Sequence, residues 1–241
     1  MSRDAVSRQA VPRHCLVTGA NRGLGLEFVR QLLARGDRVV AACRHPGKAT
    51  ALNHLAGEHP GHLHVLPLDV AAAKSREAFA HELPLVCERI DLLVNNAGVL
   101  HSGERFGQLT EANFDDSVRT NATGPLLLTQ ALAPLLADGA RVANLSSTLG
   151  SIANTTRFGT PSYAMGKAAQ NMATRLLAHA LAPRGIVVVA LHPGWVQTDM
   201  GGNGAQITAT ESVAGLLRVI DGLTLDDSGG FRDWQGGALP W

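Results

Sequence analysis

The sequence predicts a single-domain α/β protein: a doubly wound parallel sheet with helices on both faces. Three observations lead there. Short, continuously apolar runs such as Cys15-Leu16-Val17 and Ile186-Val187-Val188-Val189-Ala190-Leu191 alternate with longer segments of helical periodicity, as strands buried on both faces require. A glycine-rich turn, Thr18-Gly19-Ala20-Asn21-Arg22-Gly23-Leu24-Gly25, follows the first apolar run directly. No repeat, linker or low-complexity block divides the 241 residues, of which 45% are hydrophobic and 17% charged, so one large core can form.

Taken in order, residues 14–18 form the first strand and 24–35 the first helix, with Leu24, Phe28 and Leu32 at helical spacing before Gly36. Strands at 38–43 and 63–68 are followed by helices over about 48–58 and 74–88, the second bent or interrupted by Pro84. The fourth strand, 90–94, runs into Asn95-Asn96-Ala97-Gly98, then a loop and two helical stretches at 111–121 and 125–137. A fifth strand at 140–145, a helix over 162–181 ended by Pro183-Arg184-Gly185, and a sixth strand at 186–191 complete the alternation. In such open sheets the ligand crevice lies beyond the carboxyl ends of the strands, where strand order reverses. Residues 194–209 carry four glycines and few anchoring apolar residues, and predict a mobile lid over that crevice.

Composition excludes several function classes. A formal net charge of +1 without blocks of like charge points away from nucleic acid and anionic membrane as partners, and no apolar run is long enough to cross a bilayer. Cys15, Cys43 and Cys87 are far apart in apolar surroundings and read as buried free thiols of a reducing compartment, so a cytoplasmic protein is expected. Residues 1–13 have arginines but no apolar core segment; they are expected to be a flexible tail rather than a secretory signal, with the domain at 14–241. His59, His62 and His64 lack a cysteine or carboxylate at ligand spacing, and no metal site is expected. The pair Asp115-Asp116 reads as a solvated helix face.

The chemistry centres on Tyr163-Ala164-Met165-Gly166-Lys167. Positions four apart share a helix face, so the only tyrosine of the chain and one of its three lysines can approach one substrate together. The ammonium is expected to lower the phenol's pKa and make it a usable acid and base. In the glycine turn, Gly19, Gly23 and Gly25 allow a tight bend and let a pyrophosphate approach the helix N-terminus, where free N–H groups favour anions. That is the opening of a Rossmann-type fold.

Together these motifs resemble T-G-x-x-x-G-x-G and Y-x-x-x-K of the short-chain dehydrogenase/reductase family, and the resemblance runs from His14 to Trp241. It implies cofactor contacts from Gly19, Asn21, Arg22, Gly23, Leu24 and Gly25, and from Tyr163 and Lys167. Asn95-Asn96-Ala97-Gly98 is similar to the family's N-N-A-G, which implies that Asn95, Ala97 and Gly98 line the adenosine side. Asp69 with Val70 resembles the adenine-contacting pair, a helix N-cap being the other reading of Asp69. Asn121 sits where the family holds a proton-relay water. Asn144-Leu145-Ser146-Ser147 is similar to N-x-S-S, which makes Ser147 the catalytic serine by that match, although spacing alone does not separate it from Ser146. Pro193, Gly194, Val196 and Thr198 match the segment that wraps the nicotinamide. Gly166 departs from the serine that many members carry there. The run His192 to Gly202 and the ending Gly237-Ala238-Leu239-Pro240-Trp241 resemble the C-factor and sniffer-like carbonyl reductases.

Charge selects the cofactor. The end of the second strand, Ala41-Ala42-Cys43-Arg44, lacks the acid that would accept ribose hydroxyls in an NAD site. Arg44 and Arg22 can instead clamp a 2′-phosphate through charge-assisted bonds of about 1.5–3 kcal/mol each, so NADP(H) is expected. Asn121, Ser147, Tyr163 and Lys167 would then serve hydride transfer between nicotinamide and a small carbonyl or alcohol substrate. A dinucleotide-binding signalling or regulatory protein of the C-factor type is the alternative, and such a binder has no use for the proton-transfer groups. The resemblance further implies a homodimer or homotetramer; Ala164, Ala168 and Ala169 suit close helix packing between subunits, or equally burial within one.

Overall fold

The structure, a computed structural model, describes residues 12–202 and 204–241; of the expected tail only Pro12 and Arg13 fall among the described residues. Seven parallel strands form one sheet: β1 (His14–Thr18), β2 (Arg38–Cys43), β3 (Leu63–Pro67), β4 (Ile90–Asn95), β5 (Leu136–Leu145), β6 (Val187–His192) and β7 (Phe231–Asp233). Their spatial order is β3-β2-β1-β4-β5-β6-β7. β1 pairs with β2 on one side (Thr18 with Ala42) and with β4 on the other (Val17 with Val94), so the order reverses at β1 and a crevice opens beyond its carboxyl end.

Successive residues of a strand face opposite sides, and each side has its own core. Cys15, Val17, Val94 and Val189 meet α1 (Gly23–Ala34), α2 (Thr50–Glu58) and α7 (Ala209–Gly222) through Phe28, Leu32, Leu52, Leu216 and Ile220. Leu16, Leu93, Val142 and Val188 meet α3 (Ala73–Glu82), α5 (Gly124–Leu132) and α6 (Pro161–Leu181) through Phe79, Leu128, Leu132 and Leu177. Each such large side chain, fully buried, contributes about 1.5–3 kcal/mol.

Local chemistry explains where the elements depart from the expected bounds. The helix expected at 48–58 begins as a separate 3₁₀ turn, Pro46–Lys48, because Ala49 leaves helical geometry (φ −87°, ψ 64°). α3 stops at Glu82 and a 3₁₀ turn, Leu83–Leu85, carries Pro84. The two stretches expected after 110 form one path: α4 (Glu111–Val118), a π turn at Arg119–Thr123, and α5. Pro125 has no N–H for an α-helical bond, and the wider turn accommodates it. β5 starts at Leu136, its extra residues joining β4 across a register irregularity between Ile90 and Leu92.

Three features lie outside the expected order. α7 is set by a capping box in which Thr208 and Glu211 exchange side-chain and backbone bonds. β7 pairs with β6 over three residues. Arg13, placed in the tail by the sequence, is anchored by Asp37 (3.0 Å) and Asp221 (2.7 Å). The lid segment is also better tied than its glycines suggest: Gln197 N–H donates to the Ile207 carbonyl (2.8 Å), and Val196 and Ala205 are buried. Residue 203 of this segment lies outside the described residues. Cys15, Cys43 and Cys87 are buried free thiols, and burial pushes each thiol up. Among the described residues no helix is long and apolar enough to cross a membrane, and no group of three or more His, Cys, Asp or Glu could hold a metal ion.

A buried polar chain joins the layers behind the crevice. Asn95 Nδ2 donates to Asn144 Oδ1 (2.8 Å) and Thr129 Oγ1 (3.1 Å), and Asn144 Nδ2 donates to Thr174 Oγ1 (2.9 Å), linking β4, β5, α5 and α6. Asn95→Ala strands the Asn144 oxygen, a penalty of about 1–3 kcal/mol. We expect Tm to fall by roughly 3–10 °C in a thermal melt; an unchanged Tm would show that the chain contributes nothing to holding the layers.

Candidate active site

A crevice of about 470 Å³ runs along the carboxyl ends of β1, β2, β4 and β5. Its floor is the turn between β1 and α1. Gly19 adopts φ +64°, and a side chain on Gly25 would collide with the Gly19 carbonyl oxygen, so backbone alone fits between the turn and the helix start. Arg22 occupies the N-cap of α1 without a side-chain cap, which leaves the first-turn N–H groups facing the crevice region. Asn96 braces the turn by donating to the carbonyls of Thr18 (2.8 Å) and Gly19 (3.2 Å), while Thr18 Oγ1 accepts from the N–H groups of Asn96 and Ala97 (3.0 Å each).

Of the residues singled out in the sequence, Gly19, Asn21, Arg22, Gly23, Leu24, Arg44, Asp69, Val70, Ala97, Gly98, Tyr163, Lys167, Pro193 and Thr198 line this crevice. Others stand behind it. Gly25 lies under the turn, Asn95 belongs to the buried chain described above, Gly194 packs on Ile207 and Trp234, and Val196 is buried against Ile207. Asp69 accepts from the Ala71 N–H (3.0 Å), whereas the N-cap of α3 is Ala72.

Beyond β2 the wall is cationic. Arg44 is joined there by His45 and Lys48, all exposed, and no acid stands at the end of the strand. His45 and Lys48 were not singled out from the sequence, although a second cation four residues past Arg44 is a readable signal. Arg22, also on the crevice wall, is paired with Asp199 of the lid segment at 2.8 Å.

The other end is built on α6. Tyr163 and Lys167 are 8% and 4% exposed, one turn apart, with Nζ 5.7 Å from the ring centroid. Lys167 Nζ donates to the Leu145 carbonyl (2.6 Å) and to Gln170 Oε1 (2.9 Å). Burial pulls its pKa down to about 7. Burial also pushes the Tyr163 phenol up to about 12, against a smaller opposing hydrogen bond from Ser147. The helical spacing predicts an ammonium that lowers the phenol's pKa; here burial of the phenol sets the opposite direction.

The two candidate serines have different surroundings. Ser146 adds to the crevice wall, but its hydroxyl donates to Asn171 Oδ1 at 2.6 Å, whereas Ser147 accepts from the Leu149 N–H (3.1 Å) and faces the phenol. Asn121 lies fully buried in the π turn, its carboxamide accepting from the Val99 N–H (2.8 Å) and donating to the Val99 carbonyl (2.9 Å). Gly166 lets α6 approach: a Cβ there would stand 3.0 Å from the Ser117 carbonyl oxygen. Asp115 is exposed and the Asp116 side chain half-exposed, as a solvated helix face requires; Asp116 also borders the crevice wall beside Thr120 and contacts His101 Nε2 at 2.9 Å.

Comparison with known proteins accords with this geometry. A family model described as short chain dehydrogenase matches residues 13–208. C-signal of Myxococcus xanthus is 49% identical over 154 residues, covering 63% of this chain and 93% of that protein. The 1-hydroxy-2-glutathionyl-2-methyl-3-butene dehydrogenase of Rhodococcus sp. (strain AD45) is 36% identical over 230 residues, covering 94% of this chain and 98% of the enzyme. The NADPH-bound carbonyl reductase from chicken fatty liver superposes with a TM-score of 0.90 at 40% identity, covering 95% of this chain and 99% of that one. C-signal and the carbonyl reductase match the subgroup resemblance read from the His192 segment and the C-terminal ending. A parallel sheet that reverses at a glycine turn, a tyrosine and lysine one helical turn apart, and a family match over most of the sequence have one reading: the chain belongs to the short-chain dehydrogenase/reductase family.

Proposed function

We propose that the protein is an NADP(H)-dependent oxidoreductase that interconverts a small carbonyl compound and its alcohol, with Tyr163 as the proton donor and acceptor. The observation that carries this reading is that Tyr163 and Lys167 line the buried end of a crevice whose other end is cationic, with Ser147 hydrogen-bonded to the phenol. The cradle suits a dinucleotide phosphate. A Cβ would fill the gap at Gly25, the N-terminus of α1 opens beside it, and Arg44 and Lys48 stand where a 2′-phosphate is distinguished from a bare ribose. The NADPH carried by the chicken fatty liver reductase supports the same assignment.

The bound nicotinamide supplies or accepts a hydride. In the reductive direction Tyr163 donates its phenolic proton to the carbonyl oxygen, and Ser147 donates a hydrogen bond to that oxygen as negative charge builds. Lys167 would hold the nicotinamide ribose hydroxyls, and its cation would favour the phenolate left behind. Asp69 and Val70, and Pro193 and Thr198, line the crevice, where the first pair would meet the adenine and the second the nicotinamide. Asn121 spends its carboxamide on Val99, which supports a role for its main chain rather than its side chain at a relay water.

Similarity to C-signal favours a second reading, a signalling or regulatory protein that binds the dinucleotide. A pure binder has no need of a buried Tyr163, Ser147 and Lys167 cluster. Met165, Met172 and Leu176 form an exposed apolar stripe on α6, which supports assembly into a homodimer or homotetramer through that helix. The three buried thiols fit a reducing, cytoplasmic setting.

Oxidation of NADPH by a panel of aldehydes, ketones and quinones, followed by absorbance, is the direct test of activity. We expect turnover that Tyr163→Phe lowers by about 10²–10⁴ while leaving NADPH affinity within about twofold. Turnover unchanged by that substitution would refute the assignment, and no turnover on any member of the panel would favour the signalling reading. Arg44→Ala and Lys48→Ala should each raise KM for NADPH by roughly tenfold and barely alter KM for NADH; equal effects on both cofactors would remove the 2′-phosphate site. Sedimentation at micromolar concentration should give two or four chains per particle, and Met172→Glu should reduce it to one. A monomeric wild-type protein would contradict the assembly.

A further inference from the structure

Beneath the crevice lies one buried polar side chain that the chemistry above leaves without a role. Gln170 follows Lys167 by three positions on α6, so the two share a face, and it is 1% exposed. Its Oε1 accepts from Lys167 Nζ at 2.9 Å, while its Nε2 has no partner among the described residues. An unpaired amide in the interior is unfavourable, and a hydrocarbon side chain of the same length would fill the space without it. Turning the carboxamide over would set the amide nitrogen against an ammonium, so the cation fixes its orientation. The result is a second carbonyl oxygen on Nζ beside that of Leu145 at 2.6 Å. Two of the three N–H groups of Lys167 are thus held from within the fold, and the third is left for the crevice, whose wall Lys167 joins.

The surroundings make that acceptor count. Nζ is faced by the Tyr163 ring on its own helix, by the Leu145 main chain of β5, and by Gly98 just past the end of β4; none of these is charged at neutral pH. Burial alone accounts for the fall of Lys167 to about 7, and no carboxylate offsets it. Carbonyl oxygens bonded to Nζ are therefore what favours ammonium over amine.

We infer that Gln170 is a positioning residue whose carbonyl oxygen keeps Lys167 protonated and aimed into the crevice. The inference rests on the role proposed for Lys167, but its first readout does not depend on catalysis. Lys48, Lys74 and Lys167 are the only lysines of the chain, so isotope labelling of lysine nitrogen gives three Nζ signals, and Lys167→Met assigns the one that matters. In cofactor-free protein, the near-isosteric Gln170→Met should lower the Lys167 pKa by about one unit or more, and Gln170→Glu should raise it by a similar amount, with Lys48 and Lys74 unmoved. The ammonium is the active form, so activity is lost as pH rises through its pKa. The high-pH limb of kcat/KM for NADPH-driven reduction should therefore move down in Gln170→Met and up in Gln170→Glu. A Lys167 titration unmoved in the variants that fold overturns the inference, whatever happens to activity, since a packing role would change Tm alone. Should Gln170→Met not fold, the direction of shift in Gln170→Glu decides. Shifted titrations without a shift in the kinetic limb would retain the Gln170 contact and overturn the catalytic role of Lys167 instead.

Discussion

The site depends on one expensive arrangement: an ammonium held almost entirely out of water. Lys167 keeps its charge only through the carbonyls that receive it, and those carbonyls come from different parts of the fold, Leu145 on β5 and Gln170 on the same helix. The neighbouring chain must come very close for this to work. A Cβ on Gly150 would stand 2.7 Å from the Lys167 backbone, and one on Gly98 would stand 3.7 Å from Nζ. Glycines at these positions and at Gly166 let a loop, the end of β4 and the α4 region close around a single side chain.

That closure is supported from behind. The chain from Thr129 through Asn95 and Asn144 to Thr174 ties the sheet centre to α5 and α6 with neutral groups only, so the backs of both helices are fixed without further buried charge. In front, Asn96 and Thr18 hold the glycine turn to the end of β4. The same switch point therefore gives the crevice a rigid floor at the glycine turn and a rigid wall at Tyr163, and both line one crevice.

Much of this was legible in the sequence wherever a local rule decides. The bounds of β1 and β2 follow from short apolar runs between turn residues, and Pro84 marks the end of α3. Tyr163 and Lys167 are readable because helical spacing alone brings them together. What escaped depends on packing between distant segments. β7 is three residues long and exists only because β6 offers it an edge. Asn95 and Asn96 are adjacent, but strand alternation sends Asn95 into the interior while Asn96 reaches the turn. Spacing alone does not separate Ser146 from Ser147; their surroundings differ through Asn171, which occupies the first hydroxyl from a helix some 25 positions away. The shift of Tyr163 is the largest surprise, because motif spacing measures a cation's proximity and says nothing of desolvation. Some missed signals were local: the Thr208 and Glu211 capping pair announces α7, and Lys48 follows Arg44 at helical spacing.

Whether Tyr163 and Lys167 act together beside a bound dinucleotide is decided by a crystal structure with NADP⁺. Lys167 Nζ should lie within hydrogen-bonding distance of the nicotinamide ribose while still held by Leu145 and Gln170, with the Tyr163 hydroxyl beside the nicotinamide ring. A dinucleotide seated elsewhere, or a Tyr163 hydroxyl directed away from the ring, would contradict it.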